Sequence, residues 1–174
     1  MLQLSESLLN KQVLSLRTSS PIANVTQFII NPNNLKIEGL YCQDLIDKSS
    51  LILLTQDIRE ILPRGYVVND HEVLAKPNEL IRLQKILRID FHLTGKQVVT
   101  AEKQKVGKVT DFATETTTYY IQKIYVGQSI LKSLNTGQLS IDRSQIIEIT
   151  NKKIVIQELL KPQKASSVAT AVPA

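Results

Sequence analysis

Short stretches of alternating apolar and polar residues, separated by turn-forming residues, dominate the pattern of this chain. The clearest series lies in the second half, where polar turns separate stretches rich in β-branched residues. Alternation with a period of two is typical of strands, and polar turns between strands indicate antiparallel hairpins. The pattern therefore predicts an all-β fold with strands at Gln97–Ala101, Lys105–Thr114, Tyr119–Val126, Ile146–Ile149 and Lys153–Gln157.

The same pattern is present twice along the chain. The spacing between matching residues is 85 at first, then 84, then 88, and it changes only in predicted loops. Loops tolerate insertions best, so duplication explains the order of matches better than chance similarity between β-rich segments. The matches are Lys11-Gln12-Val13 with Lys96-Gln97-Val98, Val25, Thr26 and Phe28 with Val109, Thr110 and Phe112, Ile37 and Tyr41 with Ile121 and Tyr125, and Leu51, Ile58, Glu60, Ile61 and Val67 with Leu139, Ile146, Glu148, Ile149 and Val155.

Each copy is too small to form a stable flat sheet by itself, because such a sheet must curl or pack to bury its apolar face. Closure into a barrel also removes exposed strand edges. Tyr119–Val126 carries apolar residues on both of its faces. We therefore expect one face to fill a small barrel and the other to pack against the sister copy.

A helical connector is predicted between the copies, at 77–90. Leu80, Leu83 and Leu87 have helical spacing, and Asn78 is a candidate N-cap. The connector either covers a barrel, which is the simpler interpretation, or serves as a recognition helix for another protein.

Two motifs of the second copy resemble those of a known family. Gly95-Lys96-Gln97-Val98 is followed by Gly107-Lys108-Val109-Thr110-Asp111. The first copy has an apolar run and an acidic-Ile step at Leu53-Leu54-Thr55-Gln56-Asp57-Ile58, followed by Tyr66-Val67-Val68. In this order they resemble the PRC-barrel domains, which occur in the H subunit of photosynthetic reaction centres and at the C-terminus of the ribosome maturation factor RimM. The resemblance covers about residues 8–75 and 92–158.

This resemblance implies two tandem small PRC-type β-barrels that dock a protein or ribonucleoprotein partner. It marks Gly95, Gly107, Val109 and Asp111 as structural positions of the family pattern, with Asp111 expected to bond to turn amides. The first copy departs from the pattern, with Asn10 in place of Gly95, Ala23 in place of Gly107 and Gln27 in place of Asp111. We therefore expect different loop geometry in the first copy.

The predicted organisation is a first barrel at 1–76, the connector at 77–90, a second barrel at 91–160 and a disordered tail at 161–174. The tail is rich in Ala, Ser, Val, Pro and Lys. No stretch approaches the roughly 20 apolar residues that span a bilayer, the N-terminus lacks the charged start of a secretory signal, and Cys42 is the only cysteine. We therefore expect a cytoplasmic protein without a membrane span.

The net positive charge of the chain, +5, comes entirely from its second half. Residues 1–87 contain nine basic and nine acidic residues, whereas residues 88–174 contain twelve and seven. On a barrel these lysines either form solvated surface, which also guards against edge-to-edge aggregation, or form a patch for RNA phosphates or acidic protein surfaces, with Tyr119 and Tyr120 supplying stacking. The candidate patch consists of Lys103, Lys105, Lys108, Lys123, Lys152 and Lys153.

The residues give little support for catalysis. The chain has no phosphate-binding glycine loop, and adjacent residues such as Asp70-His71-Glu72 converge poorly on a metal ion. Cys42 aligns with Val126 and is expected to be a buried apolar residue, while Asp142-Arg143-Ser144 is expected to be a turn. We predict no catalytic, cofactor-binding or metal-binding residue.

Taken together, the patterns predict a non-catalytic adaptor whose paired PRC barrels dock a partner protein or complex. The alternative is a RimM-like factor for ribosome maturation or rRNA processing, which would contact ribosomal protein or RNA through the second barrel. That alternative is weakened because a second barrel copy stands where RimM has a different N-terminal domain.

Overall fold

The computed structural model describes residues 1–128 and 138–158, so the tail predicted at 161–174 lies outside the described residues. Most of the described chain is in strands, which confirms the β-rich class. Two short α-helices are present in these residues, α1 (Ser5–Leu8) and α2 (Gln84–Ile89). The strands are β1 (Leu2–Leu4), β2 (Gln12–Ser15), β3 (Ser20–Asn31), β4 (Lys36–Asp44), β5 (Ser50–Leu54), β6 (Glu60–Leu62), β7 (Gly65–Val68), β8 (Leu74–Ala75), β9 (Gln97–Thr100), β10 (Lys105–Glu115), β11 (Ile121–Gln128), β12 (Leu139–Asp142), β13 (Ile146–Ile149) and β14 (Lys153–Ile156).

These strands form two sheets. The first has the order β6-β7-β2-β3-β4-β5-β8, and the second has the order β12-β11-β10-β9-β14-β13, with β1 added to β10. Pairing is antiparallel except between β2 and β7 and between β9 and β14. Among the described residues no pair joins the two outer strands of either sheet, so the predicted closure into barrels is not seen. The first sheet ends instead in strands of three and two residues, and such short edges limit edge-to-edge pairing.

The strand register is repeated between the two sheets. Val13 pairs with Tyr66 in the first sheet, and Val98 pairs with Ile154 in the second. The offsets are those of the sequence repeat, 85 for β2 to β9 and 88 for β7 to β14. Register shifts also recur at matched places, between Val25 and Gln27 and between Val109 and Asp111.

The two sheets meet along an approximately two-fold symmetric seam. Phe28 and Phe112, which match in the repeat, touch edge to face with ring centroids 5.4 Å apart. One hydrophobic cluster contains buried side chains of both sheets, as expected if each copy packs against its sister. Two reciprocal hydrogen bonds cross the seam, from the Ile37 amide to the Tyr119 carbonyl (2.9 Å) and from the Ile121 amide to the Leu35 carbonyl (2.8 Å). An interface in which matching residues exchange matching contacts is the kind that joins identical subunits about a two-fold axis.

The N-terminal segment crosses from one half to the other. β1 lies within the segment predicted as the first barrel, 1–76, but it pairs with β10 of the second sheet, Leu2 opposite Glu115 and Leu4 opposite Ala113. The first residues of the chain therefore complete the sister sheet.

The connector predicted at 77–90 consists of two 3₁₀ turns, Pro77–Glu79 and Ile81–Leu83, followed by α2. Asn78 lies inside the first turn and does not cap it; the Glu79 carboxylate instead accepts a hydrogen bond from the Lys76 amide at 2.9 Å. None of the helices in residues 1–128 and 138–158 combines the length and hydropathy that crossing a bilayer requires.

Candidate anion-binding face

A row of polar side chains crosses three adjacent strands of the second sheet. Lys108 on β10 is paired with Gln97 on β9, and Gln97 is paired with Lys153 on β14. Paired residues project on the same side of a sheet, and neighbouring strands lie about 4.8 Å apart, so the two lysines are attached about 10 Å from each other. The neighbours Val98 and Ile154 are fully buried, which places this lysine row (Lys108, Gln97 and Lys153) on the outer face.

Two further lysines lie at the same end of β9. Lys152 is exposed in the turn immediately before β14. Lys96 donates a hydrogen bond from Nζ to the Asn151 carbonyl at 2.6 Å and stands 4.5 Å from the centroid of the Phe91 ring. Burial lowers the pKa of the Lys96 ammonium. Lys96 is not among the lysines predicted to form the patch, although its place next to Gln97 in the sequence indicates that it adjoins the row.

Lys103 and Lys105 lie towards the opposite end of β9. Lys105 is paired with Val99, two residues or about 7 Å along the strand from Gln97. Lys103 occupies the hairpin turn with a left-handed backbone (φ 65°). The amide of the preceding turn residue, Glu102, donates a hydrogen bond to the Glu158 carboxylate at 3.1 Å. Carboxylates thus lie at this end of the face.

Lys123 is engaged elsewhere. It lies on β11 opposite Asp142 on β12, and its Nζ is 3.4 Å from the Asp142 carboxylate. A cross-strand pair of opposite charges contributes to sheet pairing and leaves little net charge for a partner. The structure therefore brings Lys108, Lys152 and Lys153 together and separates Lys123 from them.

The equivalent face of the first sheet lacks lysines at the matching strand positions. At the positions that match Lys105, Lys108 and Lys153 it has Pro21, Asn24 and Gly65. Gln12 occupies the place of Gln97, paired with Asn24 and Gly65 in the same register. The scaffold is shared between the copies. The two copies are alike in having a basic residue at the positions of Lys96 (Lys11) and Lys152 (Arg64), whereas Lys105, Lys108 and Lys153 are particular to the second copy.

The family-pattern glycines have clear structural roles. Gly95 has a left-handed backbone (φ 87°), and so does its counterpart Asn10 (φ 57°). Asn tolerates this conformation better than most residues, so the difference in loop geometry that we expected is absent at this turn. A Cβ atom added to Gly107 would lie 1.9 Å from the Gly127 carbonyl oxygen. The two backbones approach so closely at this point that only glycine fits.

Val109 and Asp111 are both buried. The Asp111 carboxylate accepts hydrogen bonds from the Phe112 amide (2.7 Å), from the Ser5 amide (3.2 Å) and from the Ser5 hydroxyl. Ser5 begins α1, so this carboxylate ties the N-terminal segment of the first copy to the second sheet.

The two tyrosines considered for base stacking lie at the seam and not on the lysine row. Burial raises the pKa of Tyr119 to about 12. The Tyr120 ring has the Arg143 guanidinium 4.7 Å and the Lys36 ammonium 5.9 Å from its centroid. Tyr119 packs against the hydrophobic cluster shared by the two sheets, and the Tyr120 ring lies near Lys36 of the first half, so neither ring belongs to the lysine row.

The remaining candidates for chemistry are held in local contacts. His71 binds the Asp44 carboxylate through Nε2, and Asp70 pairs with Arg17 at 2.5 Å. Within the described ranges no group of three His, Cys, Asp or Glu side chains is arranged to hold a metal ion. Cys42 is buried, as expected from its alignment with Val126, and burial raises its pKa to about 12.

Comparison with known proteins adds no assignment: no protein-family model and no curated protein matches this chain.

Proposed function

We propose that this protein is a non-catalytic adaptor that docks an acidic partner protein or complex on the outer face of its second sheet. The observation that carries the proposal is the lysine row: Lys108 and Lys153 stand in register on either side of Gln97, while the matching first-sheet positions are neutral. We further infer that each sheet derives from a PRC-type unit, whose resemblance implies docking and no shared reaction.

Charge without an internal partner favours binding to an anion. The ion pairs among the described residues include neither Lys108, Lys152 nor Lys153. Clustered like charges on a rigid sheet attract opposite charge and raise the rate of encounter with it. An acidic protein surface fits this face better than RNA bases do, because Tyr119 and Tyr120 are engaged at the seam.

Quantitative affinity purification from cells tests the proposal. The tagged protein is compared with the double variant Lys108→Gln/Lys153→Gln and with Lys76→Gln/Lys85→Gln, which removes the same charge from two exposed positions, one just before the connector and one within it. We expect a defined set of partners to be lost from the first variant and retained by the second, with nuclease treatment leaving the set unchanged.

Two results would contradict this function. If both double variants recover the same amounts of the same partners, the lysine row does not take part in docking. Recovery that disappears with nuclease, together with co-sedimentation with ribosomes that weakens steeply as salt rises, would replace the acidic protein by RNA, since release of counterions from phosphates makes such binding strongly salt-dependent.

A further inference from the structure

The connector between the halves packs one side on the first sheet and exposes the other. Leu83 is buried against Ile29 and Ile52. On the outward side Ile81 is 82% exposed, and the basic residues Arg82, Lys85 and Arg88 are exposed beside it. The connector is thus both a cover for the first sheet and a basic surface with an apolar residue at its start.

A cleft of about 600 Å³ separates this connector from the end of β5. Apolar and polar side chains share its lining. The apolar ones are Leu54, Leu80, Ile81, Leu83 and Ile86, and the polar ones are Lys36, Glu38, Thr55, Gln56, Glu79 and Arg82. Ligand-binding clefts typically have this size and combine apolar walls with a few placed polar groups. Leu54, Leu80 and Ile86 are partly buried and Leu83 is buried, so a side chain that projects from a partner could reach them through the cleft.

Charge selects the kind of partner. The lining itself carries two basic and two acidic residues, of which Lys36 and Glu38 pair with each other at 3.6 Å. The connector beside it is basic, because residues 76–90 contain four Lys or Arg and two Asp or Glu. Arg82 forms no ion pair within the described residues. An arginine with five donors beside apolar side chains is suited to a carboxylate next to an apolar group.

We propose that this connector cleft (Leu54, Leu80, Leu83 and Ile86, with Ile81 and Arg82) is a second docking site that binds an acidic segment of a partner protein. An apolar side chain of that segment enters the cleft, and a neighbouring carboxylate pairs with Arg82. A flat lipid surface would not reach the leucines of the cleft, and a phosphate backbone would leave them unused. This site goes beyond the lysine row because it lies on the other sheet and is carried by different residues.

The connector supplies matched controls for the experiment. Arg82→Glu and Lys85→Glu make the same charge change on neighbouring exposed residues, but only Arg82 lines the cleft. In the same way Ile81 lines the cleft, whereas Ile89, which is 39% exposed, does not. Because all four side chains are exposed, the variants Ile81→Asn and Ile89→Asn and the two charge reversals are expected to keep the fold, which circular dichroism verifies.

A random dodecapeptide library is selected on the immobilised protein, and enriched peptides are labelled with fluorescein for anisotropy titrations against each variant. We expect enriched peptides to combine Asp or Glu with an aromatic or aliphatic residue. Their affinity should fall about tenfold, equivalent to one lost interaction of 1.4 kcal/mol, with Arg82→Glu and with Ile81→Asn. It should change less than about twofold with Lys85→Glu and Ile89→Asn.

The proposal is overturned by any of three results. The first is that the selection enriches no such peptides. The second is that Lys85→Glu weakens peptide binding as much as Arg82→Glu does, which would indicate general attraction to positive charge. The third is that sedimentation with phosphatidylserine vesicles depends on Arg82 and Ile81 while peptide binding does not.

Discussion

Contact between Phe28 and Phe112 predicts that the two halves unfold as one unit. The rings are 7% and 2% exposed and touch edge to face. Replacing either ring by alanine removes about 3–5 kcal/mol, so a double alanine variant would remove most of the 5–15 kcal/mol that stabilises an ordinary domain. Phe28→Leu and Phe112→Leu are the better perturbations, because swaps that nearly conserve volume cost less than about 1.5 kcal/mol each.

A double-mutant cycle isolates the contact. Aromatic pairs contribute about 0.5–1.5 kcal/mol beyond their buried area, and either leucine variant alone removes that term. The double variant should therefore be more stable than the sum of the single losses predicts, by that amount. Urea denaturation followed by circular dichroism gives the free energy of unfolding of the four proteins, and each should show a single transition with an unchanged slope.

Two outcomes would refute this reasoning. Additive losses within about 0.3 kcal/mol would mean that the rings do not interact. Two resolved transitions, of which each single variant shifts only one, would mean that the halves fold independently and that the shared hydrophobic cluster is not a common core.

Three further predictions concern single positions. The hydrogen bond from His71 lowers the pKa of Asp44, so the ionised carboxylate stabilises the fold at neutral pH and loses this effect as the pH falls below about 4. In denaturation at a series of pH values, the difference in free energy of unfolding between wild type and Asp44→Asn should therefore shrink below about pH 4. Gly107→Ala should cost about 1–3 kcal/mol in urea denaturation, because its Cβ would meet the Gly127 carbonyl, and an unchanged stability would contradict the close approach. Cys42 should react with a thiol reagent at pH 8 only after denaturant is added, since burial raises its pKa to about 12; rapid labelling of the native protein would show it to be accessible.

Alternation and the internal repeat predicted much of the sheet architecture. The predicted strand Lys105–Thr114 is within one residue of β10, and the first-copy strands follow at the same offsets. This succeeded because strand periodicity and turn composition are local properties of the chain. Polar turns marked the hairpins for the same reason.

Contacts between segments that are distant in the chain could not be predicted as well. β1 has only three residues, and nothing in Leu2–Leu4 indicates that it pairs with β10, more than a hundred residues away. The connector showed helical spacing, but Leu80 leaves the helical region of backbone angles (φ −89°, ψ 69°) and Asp90 is left-handed (φ 45°), so the regular α-helix has only six residues. Which lysines share a face depended on strand register, and the sequence could not reveal that Lys123 would pair with Asp142.

The two copies differ on their outer surfaces, while the seam retains the matched pair Phe28 and Phe112. The lysine row has no charged counterpart in the first sheet, and the connector cleft is built on the first sheet alone. Because the two surfaces share no residue, their contributions to binding should add. Lys108→Gln/Lys153→Gln should leave cleft-selected peptides bound with unchanged affinity, and Arg82→Glu should leave unchanged the partners recovered through the lysine row. Loss of both activities in either variant would indicate one composite site and would remove the basis for an adaptor that holds two partners at once.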